Sequence, residues 1–170
     1  MGQKITAVLT ILLLTGCSSF DLNIRNNGAP IKATKILIGN FEFRNLSYDP
    51  YVSAEYREAL RYEFFRRGIN VLIIPESEDS PKGDSISASA VAGEYSGDVL
   101  IRGVITQRES GFLSDREIAS SVNILVYAAD GQQIGESYFY TEEPASDESV
   151  KRSAVVKFVT GFISNTKSFK

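Results

Sequence analysis

YVSAEYREALRYEFFRRG, residues 51–68, is the stretch that decides how the rest of the chain can be arranged. Its apolar side chains recur at helical spacing and share one face, which is formed by Val52, Tyr56, Ala59, Leu60 and Phe64. Arg66 and Arg67 lie in the last predicted turn, where positive charge suits the helix dipole, and Gly68 is a typical residue to end a helix. The pattern therefore predicts an amphipathic helix with one buried face.

The segments on either side of this helix are predicted to be strands. Residues 34–43, TKILIGNFEF, carry apolar side chains at both parities, which is typical of a strand covered on both faces for part of its length. Residues 69–75, INVLIIP, form a second short apolar run. A strand, a helix and a strand with short connections make a unit of the β-α-β type, although the pattern leaves the pairing direction open.

The C-terminal half supplies three more strands and a second long helix. The predicted elements are a short helix at 86–97, strands at 98–108, 116–127 and 133–141, and a helix from an Asp147 N-cap to about residue 165. Asp130-Gly131 is the strongest hairpin signal in the chain. We therefore predict an α+β fold, with a mixed or antiparallel sheet and both long helices on one face.

The N-terminal residues have the features of an export signal. Lys4 precedes an apolar run at 5–14, ITAVLTILLL, which is shorter than the roughly 20 residues that span a bilayer. Cys17 follows as the only cysteine, so it cannot form an intramolecular disulfide. The chain has no histidine that could activate this thiol as a nucleophile.

The sequence LTGC, residues 14–17, resembles a bacterial lipobox. This resemblance implies that the sulfur of Cys17 receives a diacylglyceryl group, that the chain is cut before Cys17, and that its amine is acylated, for instance with palmitate. It predicts a lipoprotein signal peptide at 1–16, a lipidated cysteine and flexible tether at 17–33, and one domain at 34–166. Ser18, where some families have aspartate, resembles an outer-membrane sorting signal. The alternative is an ordinary signal peptide or apolar helix in which the cysteine is incidental.

Composition and motifs argue against several classes of function. A formal net charge of −3 and the lack of a basic run speak against nucleic acid as the main ligand. We predict no enzymatic activity, no cofactor and no catalytic residue, because the chain has no histidine and no Gly-x-Ser-x-Gly nucleophile context. Glu142 and Glu143 are adjacent in the sequence, and adjacent side chains point to opposite sides of an extended chain, so we do not predict that they form a catalytic acid–base pair. The acidic residues at 76–84 lack the spacing of an EF-hand, so no metal site is predicted.

The order of predicted elements resembles the periplasmic α/β domain shared by the amino-terminal region of TolB and by CsgG-like lipoproteins. The stretches that carry this resemblance are KILIGNFEF (35–43), AEYREALRYEFFRRGINVL (54–72), VAGEYSGDVLIRGVI (91–105) and VNILVYAADGQQIGES (122–137). The chain also resembles LptE, the lipoprotein partner of the outer-membrane LPS translocon, in CSSFDL (17–22), IGNFEFRN (38–45) and REALRYEFFRRG (57–68). The segment at 76–96 departs from the usual compact form of LptE.

These resemblances imply a non-catalytic, lipid-anchored protein on the periplasmic side of the outer membrane. We expect an accessory or assembly subunit of an envelope complex, with the membrane and an envelope protein as its partners. The alternatives are an LptE-like partner of the LPS translocon, with LPS as a further ligand, or a lipoprotein that binds a small ligand. Arg102, Leu125 and Tyr127 are the predicted partner interface, because they lie on the sheet parity opposite the core; a solvated sheet face is the alternative.

Overall fold

A six-stranded sheet runs through the computed structural model, which describes residues 18–24, 33–44, 50–79, 85–111 and 117–166. The strands are β1 (Ser19–Ile24), β2 (Ile36–Arg44), β3 (Val71–Ile73), β4 (Val99–Ser110), β5 (Glu117–Ala128) and β6 (Gln133–Thr141). The helices are α1 (Pro50–Phe65), α2 (Ser85–Glu94) and α3 (Glu148–Ser164), with a short 3-10 turn at Glu76–Glu78.

The sheet is mixed, and its order is β1-β6-β5-β4-β2-β3. β2 pairs in parallel with both β3 and β4, whereas β4, β5, β6 and β1 pair antiparallel in succession. The unit β2-α1-β3 is therefore a parallel β-α-β unit, and the strands from β4 to β6 form a meander. This arrangement confirms the predicted α+β fold.

Helices α1 and α3 lie side by side on one face of the sheet and run in the same direction. The ammonium of Lys151 in α3 donates to Glu55 near the start of α1 at 2.9 Å, and Arg67, just after α1, donates to the hydroxyl of Thr160 at 2.7 Å. The largest side chains of the shared core are fully buried; they are Phe41, Tyr56, Phe64, Phe158 and Phe162. The prediction that both long helices cover one face is confirmed.

Polar groups fix where several of these elements begin. The carboxylate of Asp147 accepts from the backbone N–H of Ser149 at 2.7 Å, which is the N-cap predicted for α3. Asp98 accepts from the backbone N–H groups of Thr34 and Lys35 at 2.8 and 2.9 Å, and thus ties the start of β2 to the start of β4. Hydrogen bonds from Ser149 and from Thr34 hold the pKa of Asp147 and of Asp98, respectively, below the usual range.

Helix α2 covers part of the opposite face of the sheet. It forms a second apolar cluster with side chains from β2, β4 and β5; the buried members are Leu37, Ile74, Ala88, Val91, Leu100 and Tyr127. This helix corresponds to the short helix predicted at 86–97. β2 carries apolar residues at both parities because helices cover both of its faces. Ile36 and Ile38 face α1 and α3, while Leu37 faces α2.

The six residues of β1 lie within the stretch at 17–33 that was predicted as a lipidated cysteine and flexible tether. Ser19–Ile24 form an edge strand that pairs along its whole length with β6. Phe20, Leu22 and Ile24 alternate with polar residues and pack against the core beneath α3. This alternation is a strand signal, whereas the Asn-Asn-Gly that follows is a turn signal and favoured the prediction of a tether. Residues 25–32 lie outside the described part of the chain.

The predicted leader at 1–16 and Cys17 also lie outside the described residues. Among the helices that the structure does describe, none has the combination of length and apolar composition that a bilayer crossing requires.

Candidate partner-binding surface

The predicted interface residues Arg102, Leu125 and Tyr127 do share one face of the sheet, but α2 and the segment before it cover this place. Arg102 is 3% exposed and Tyr127 is 2% exposed, while Leu125 is half-buried beside them. Within the chain, these side chains therefore contact α2 and the segment at 76–79 and have little surface in solvent. The role of these residues in binding a partner stays a prediction.

A buried ion pair explains why Arg102 lies inside. Its guanidinium pairs with the carboxylate of Asp79, donates from Nη1 to the hydroxyl of Ser87 at 3.0 Å, and lies 5.8 Å from the centre of the Tyr127 ring. Asp79 is 1% exposed and also accepts from the backbone N–H of Asn40. A β-carbon at Gly39 would collide with this carboxylate, so the close approach requires glycine there. The cluster fastens the segment before α2 onto the sheet.

The other acids of the segment at 76–79 also have specific partners. Glu76 accepts from Arg57 at 3.1 Å, and Glu78 accepts from the hydroxyl of Tyr95. The buried guanidinium of Arg57 also donates to the backbone carbonyl of Ile74. These acids thus hold neighbouring elements together. Within the described residues, no group of three or more metal-ligating side chains occurs that could hold a metal ion.

The rest of this sheet face, across β1, β6 and the adjoining part of β5, is open to solvent and polar. A shallow depression of about 190 Å³ lies there, lined by Asp21, Asn23, Asn123, Glu136 and Tyr138. Glu136 and Asp21 are exposed, and Tyr138 keeps 47% of its surface in solvent. This part of the face matches the alternative of a solvated sheet surface.

A groove between α1 and α3 is larger but carries charges of both signs. Its volume is about 810 Å³, and the lining includes Glu55, Glu63, Arg66, Lys151 and Arg152. The ammonium of Lys151 lies 2.9 Å from Glu55 and 2.8 Å from Glu148. Partial burial opposes the charge, but the hydrogen bonds that the ammonium donates to these two carboxylates raise the pKa of Lys151 above its usual value. Internal ion pairs thus occupy this groove, and side chains of both charges line it.

An apolar groove lies where the end of α1 meets the edge strand β3. It encloses about 370 Å³ and is lined by Arg61, Tyr62, Phe65, Ile69, Asn70 and Val71, which together define the α1–β3 groove. Tyr62 is 63% exposed and Phe65 is 67% exposed. Tyrosine and arginine are enriched at the energetic centres of protein interfaces, where phenylalanine is also enriched over the general surface.

The strand beside this groove has an unpaired edge. β3 pairs with β2 on one side, and no other described strand pairs with its second side. Leu72, on the other face of β3, is 41% exposed. A free strand edge offers backbone donors and acceptors to another chain. The groove and the edge together form the surface best suited to bind a protein.

The helical pattern contains a signal for this groove that the sequence interpretation did not use. Phe64 lies in the predicted apolar stripe and is fully buried, whereas Phe65 is turned away from it by about 100°. Tyr62 and Phe65 are three residues apart and share that outer side of α1. Two aromatic residues outside the buried stripe of an amphipathic helix therefore indicated an exposed aromatic surface.

No family model matches the chain, and no curated protein matches its sequence. Among solved structures, the chain is similar to PelC of Paraburkholderia phytofirmans, solved as a dodecamer, with 12% identity and a TM-score of 0.63 over 89% of this chain and 100% of that chain. It also matches lipoprotein GNA1162 from Neisseria meningitidis, with 14% identity and a TM-score of 0.46 over 78% of this chain and 99% of that chain.

A further match is the C-terminal domain of LpoB from Salmonella enterica, with 15% identity and a TM-score of 0.46 over 66% of this chain and 86% of that chain. The likeness to PelC places the chain among α+β domains of the same fold. The more specific resemblances to TolB, to CsgG-like lipoproteins and to LptE stay predictions.

Proposed function

We propose that this chain is a non-catalytic lipoprotein, anchored through Cys17 on the periplasmic side of the outer membrane, that acts as an accessory or assembly subunit of an envelope complex. The observation that carries the proposal is the α1–β3 groove, where Tyr62 and Phe65 stand exposed beside an unpaired strand edge. A protein partner buries these rings and pairs with β3. The lipobox at 14–17 supports the anchor.

The partner is either another envelope protein or a second copy of this chain. PelC, which has a similar fold, is solved as a dodecamer, and this supports including self-association. The two edge strands of the present sheet, β1 and β3, lie at its opposite sides. Contacts between unlike edges of successive copies generate rings or filaments, whereas an LptE-like role requires the barrel of the LPS translocon as the partner.

The anchor predicts a large effect of replacing Cys17. The Cys17→Ala chain is expected to lack acyl chains and to be lost from the membrane fraction, because the thioether attachment cannot form. Intact mass of the purified protein and fractionation of cell envelopes measure this. Ser18→Ala is the matched control and keeps the lipid. A Cys17→Ala chain with the normal mature mass and full membrane retention contradicts the anchor.

The groove predicts which contacts hold the partner. Crosslinking in native membranes, followed by mass spectrometry, is expected to place crosslinks on or next to the α1–β3 groove. The double variant Tyr62→Ser, Phe65→Ser is expected to reduce recovery of the crosslinked partner about tenfold or more, because each ring is the type of residue that dominates binding energy.

Tyr138→Ser is the matched control for this experiment. Its ring is 47% exposed on the polar open face of the sheet, so its loss removes a similar group from a different surface. Equal recovery of the partner with the groove variant, the control and the unmodified chain contradicts the groove. Crosslinks between copies of the chain identify self-association, and crosslinks to an LPS-translocon barrel identify the LptE-like role.

A further inference from the structure

The edge strand β1 leaves only a short length of chain between the sheet and the proposed lipid attachment site. β1 begins at Ser19, which pairs with Tyr140 of β6. Cys17 is two residues earlier, and a chain of two residues spans at most about 7 Å. The predicted 16-residue tether would have reached roughly 20–25 Å. Once Ser19–Ile24 belong to the sheet, a lipid on Cys17 holds one particular end of the domain at the bilayer.

The strand register identifies this end. Ser19 is level with Tyr140 of β6, which is level in turn with Ser121 of β5. β5 and β4 continue beyond this level as a pair, as far as Glu117 opposite Ser110. Glu117 is four residues past Ser121, or roughly 13 Å along the strand. The β4–β5 pair therefore projects past the point where the chain leaves the sheet toward Cys17.

The start of α1 and the residues before α3 belong to the same end. Tyr56 donates through its hydroxyl to the carbonyl of Ala145 at 3.0 Å, and the backbone N–H of Ala145 donates to the side chain of Gln107 near the end of β4 at 3.0 Å. Tyr51, in the first turn of α1, is 73% exposed. Tyrosine is enriched at membrane interfaces because its ring is apolar and its hydroxyl is polar.

We propose that this end of the domain, carried by Ser110, Gly111 and Glu117 of the β4–β5 pair and by Tyr51, rests in the headgroup layer of a zwitterionic phospholipid bilayer. The inference rests on the proposed lipidation of Cys17. Even if residues 17–19 are fully extended along the strand direction, Glu117 reaches roughly 6 Å further than Cys17. This distance is about the thickness of one headgroup layer.

The charges at this end fit a zwitterionic surface better than an anionic one. Arg108 is exposed there and suits a lipid phosphate, while Glu117, Glu142 and Glu143 are exposed and suit the ammonium of phosphatidylethanolamine.

The α1–β3 groove lies at the opposite end of the sheet, because Val71 of β3 is level with Ile36 and Val99, the first residues of β2 and β4. It stands roughly 35 Å from Ser110 along the strands. The groove thus faces away from the bilayer, where a periplasmic partner can reach it.

A fluorescent probe on a single cysteine tests this orientation. Cys17 is the only cysteine, and lipidation converts its thiol to a thioether, so an introduced cysteine is the only free thiol. The lipidated Glu117→Cys chain is labelled and reconstituted in vesicles of phosphatidylcholine and phosphatidylethanolamine that contain brominated lipid. The matched control is Gln132→Cys, in the exposed turn between β5 and β6 at the other end.

We expect lipid to quench the probe at Glu117→Cys at least threefold more strongly than the probe at Gln132→Cys. Insertion of ten Gly-Ser residues after Ser18 is expected to remove most of this difference, because a long linker frees the domain from the surface. Intact mass reports the acyl chains separately. A lipidated chain with equal quenching at both positions overturns this orientation and leaves the anchor standing. A chain without acyl mass overturns the anchor and this inference together.

Discussion

Replacement of Phe158 by alanine is expected to lower the free energy of unfolding by about 3–5 kcal/mol. The ring of Phe158 is fully buried and stacks on Phe162, with ring centres 5.8 Å apart. Phe162 in turn meets the edge of Phe64 in α1 at 5.9 Å. Truncation leaves a cavity where α3, α1 and the sheet converge, and it also removes the stacking contact. Urea unfolding of the purified chain, followed by circular dichroism, measures the loss.

Phe65→Ala is the matched control for this prediction. It removes the same side chain from the outer side of α1, where the ring is 67% exposed. Its unfolding free energy is expected to change by only about 0.5 kcal/mol. If Phe158→Ala costs no more than Phe65→Ala, α3 does not dock on the sheet through this ring.

Replacement of Arg102 by alanine is expected to be similarly damaging, with a loss of about 3–5 kcal/mol. The substitution leaves the carboxylate of Asp79, which is 1% exposed, without its charged partner. The segment at 76–79 and α2 are then expected to loosen from the sheet before the main core unfolds. Hydrogen exchange of the backbone amides in α2 reports this local opening, and urea unfolding reports the total loss.

Arg44→Ala is the matched control for the buried pair. Arg44 also pairs with a carboxylate, that of Glu42 at 2.7 Å, but its side chain is 60% exposed. Exposed pairs of this kind contribute about 0–1 kcal/mol. The double variant Arg102→Ala, Asp79→Ala is expected to lose less than the sum of the two single losses, because no uncompensated charge remains. A loss from Arg102→Ala as small as that from Arg44→Ala contradicts the structural role of the pair.

The structural role of Arg102 complicates a test of the predicted interface at Arg102 and Tyr127. Loss of the partner after Arg102→Ala has two explanations. The substitution removes a predicted binding residue, and it also loosens α2, which exposes a different surface. Substitutions in the α1–β3 groove avoid this ambiguity, since Tyr62 and Phe65 lie outside the core. The ratio of partner loss to stability loss separates a binding residue from a residue that holds the fold.

Local sequence was sufficient for most of the elements. The apolar stripe through Tyr56 and Phe64 predicted α1 and its buried face, and Asp147 predicted the start of α3 through the capping bond that it makes. Asp130-Gly131 predicted the turn between β5 and β6, where Gly131 has a positive φ of 84°. Each of these features depends on residues that are near neighbours in the sequence, so a single sequence is enough to predict it.

Two features were missing from the sequence predictions because the partners that decide them are distant in sequence. The alternation in Ser19–Ile24 becomes a strand through pairing with β6, more than a hundred residues away. Asp79 lies in a polar stretch that reads as a solvent loop, yet Arg102 and the backbone of Asn40 bind its carboxylate. The alternation in β1 does not identify the strand that it pairs with, and the ion pair leaves no periodic pattern, because each interaction depends on a few contacts between separate segments.

The sequence by itself determined the α+β class, the two long amphipathic helices and the hairpin turn, and its resemblance to a lipobox at 14–17 motivates the proposed anchor at Cys17. Only the tertiary structure decided that α2 covers part of the second sheet face and that the predicted tether contains an edge strand. It also decided that the exposed aromatic groove lies at the end opposite the proposed lipid. The physical reason is range: capping, turn chemistry and apolar periodicity act between near neighbours, whereas strand order, burial of a charge and the direction of a surface depend on segments that meet only after folding.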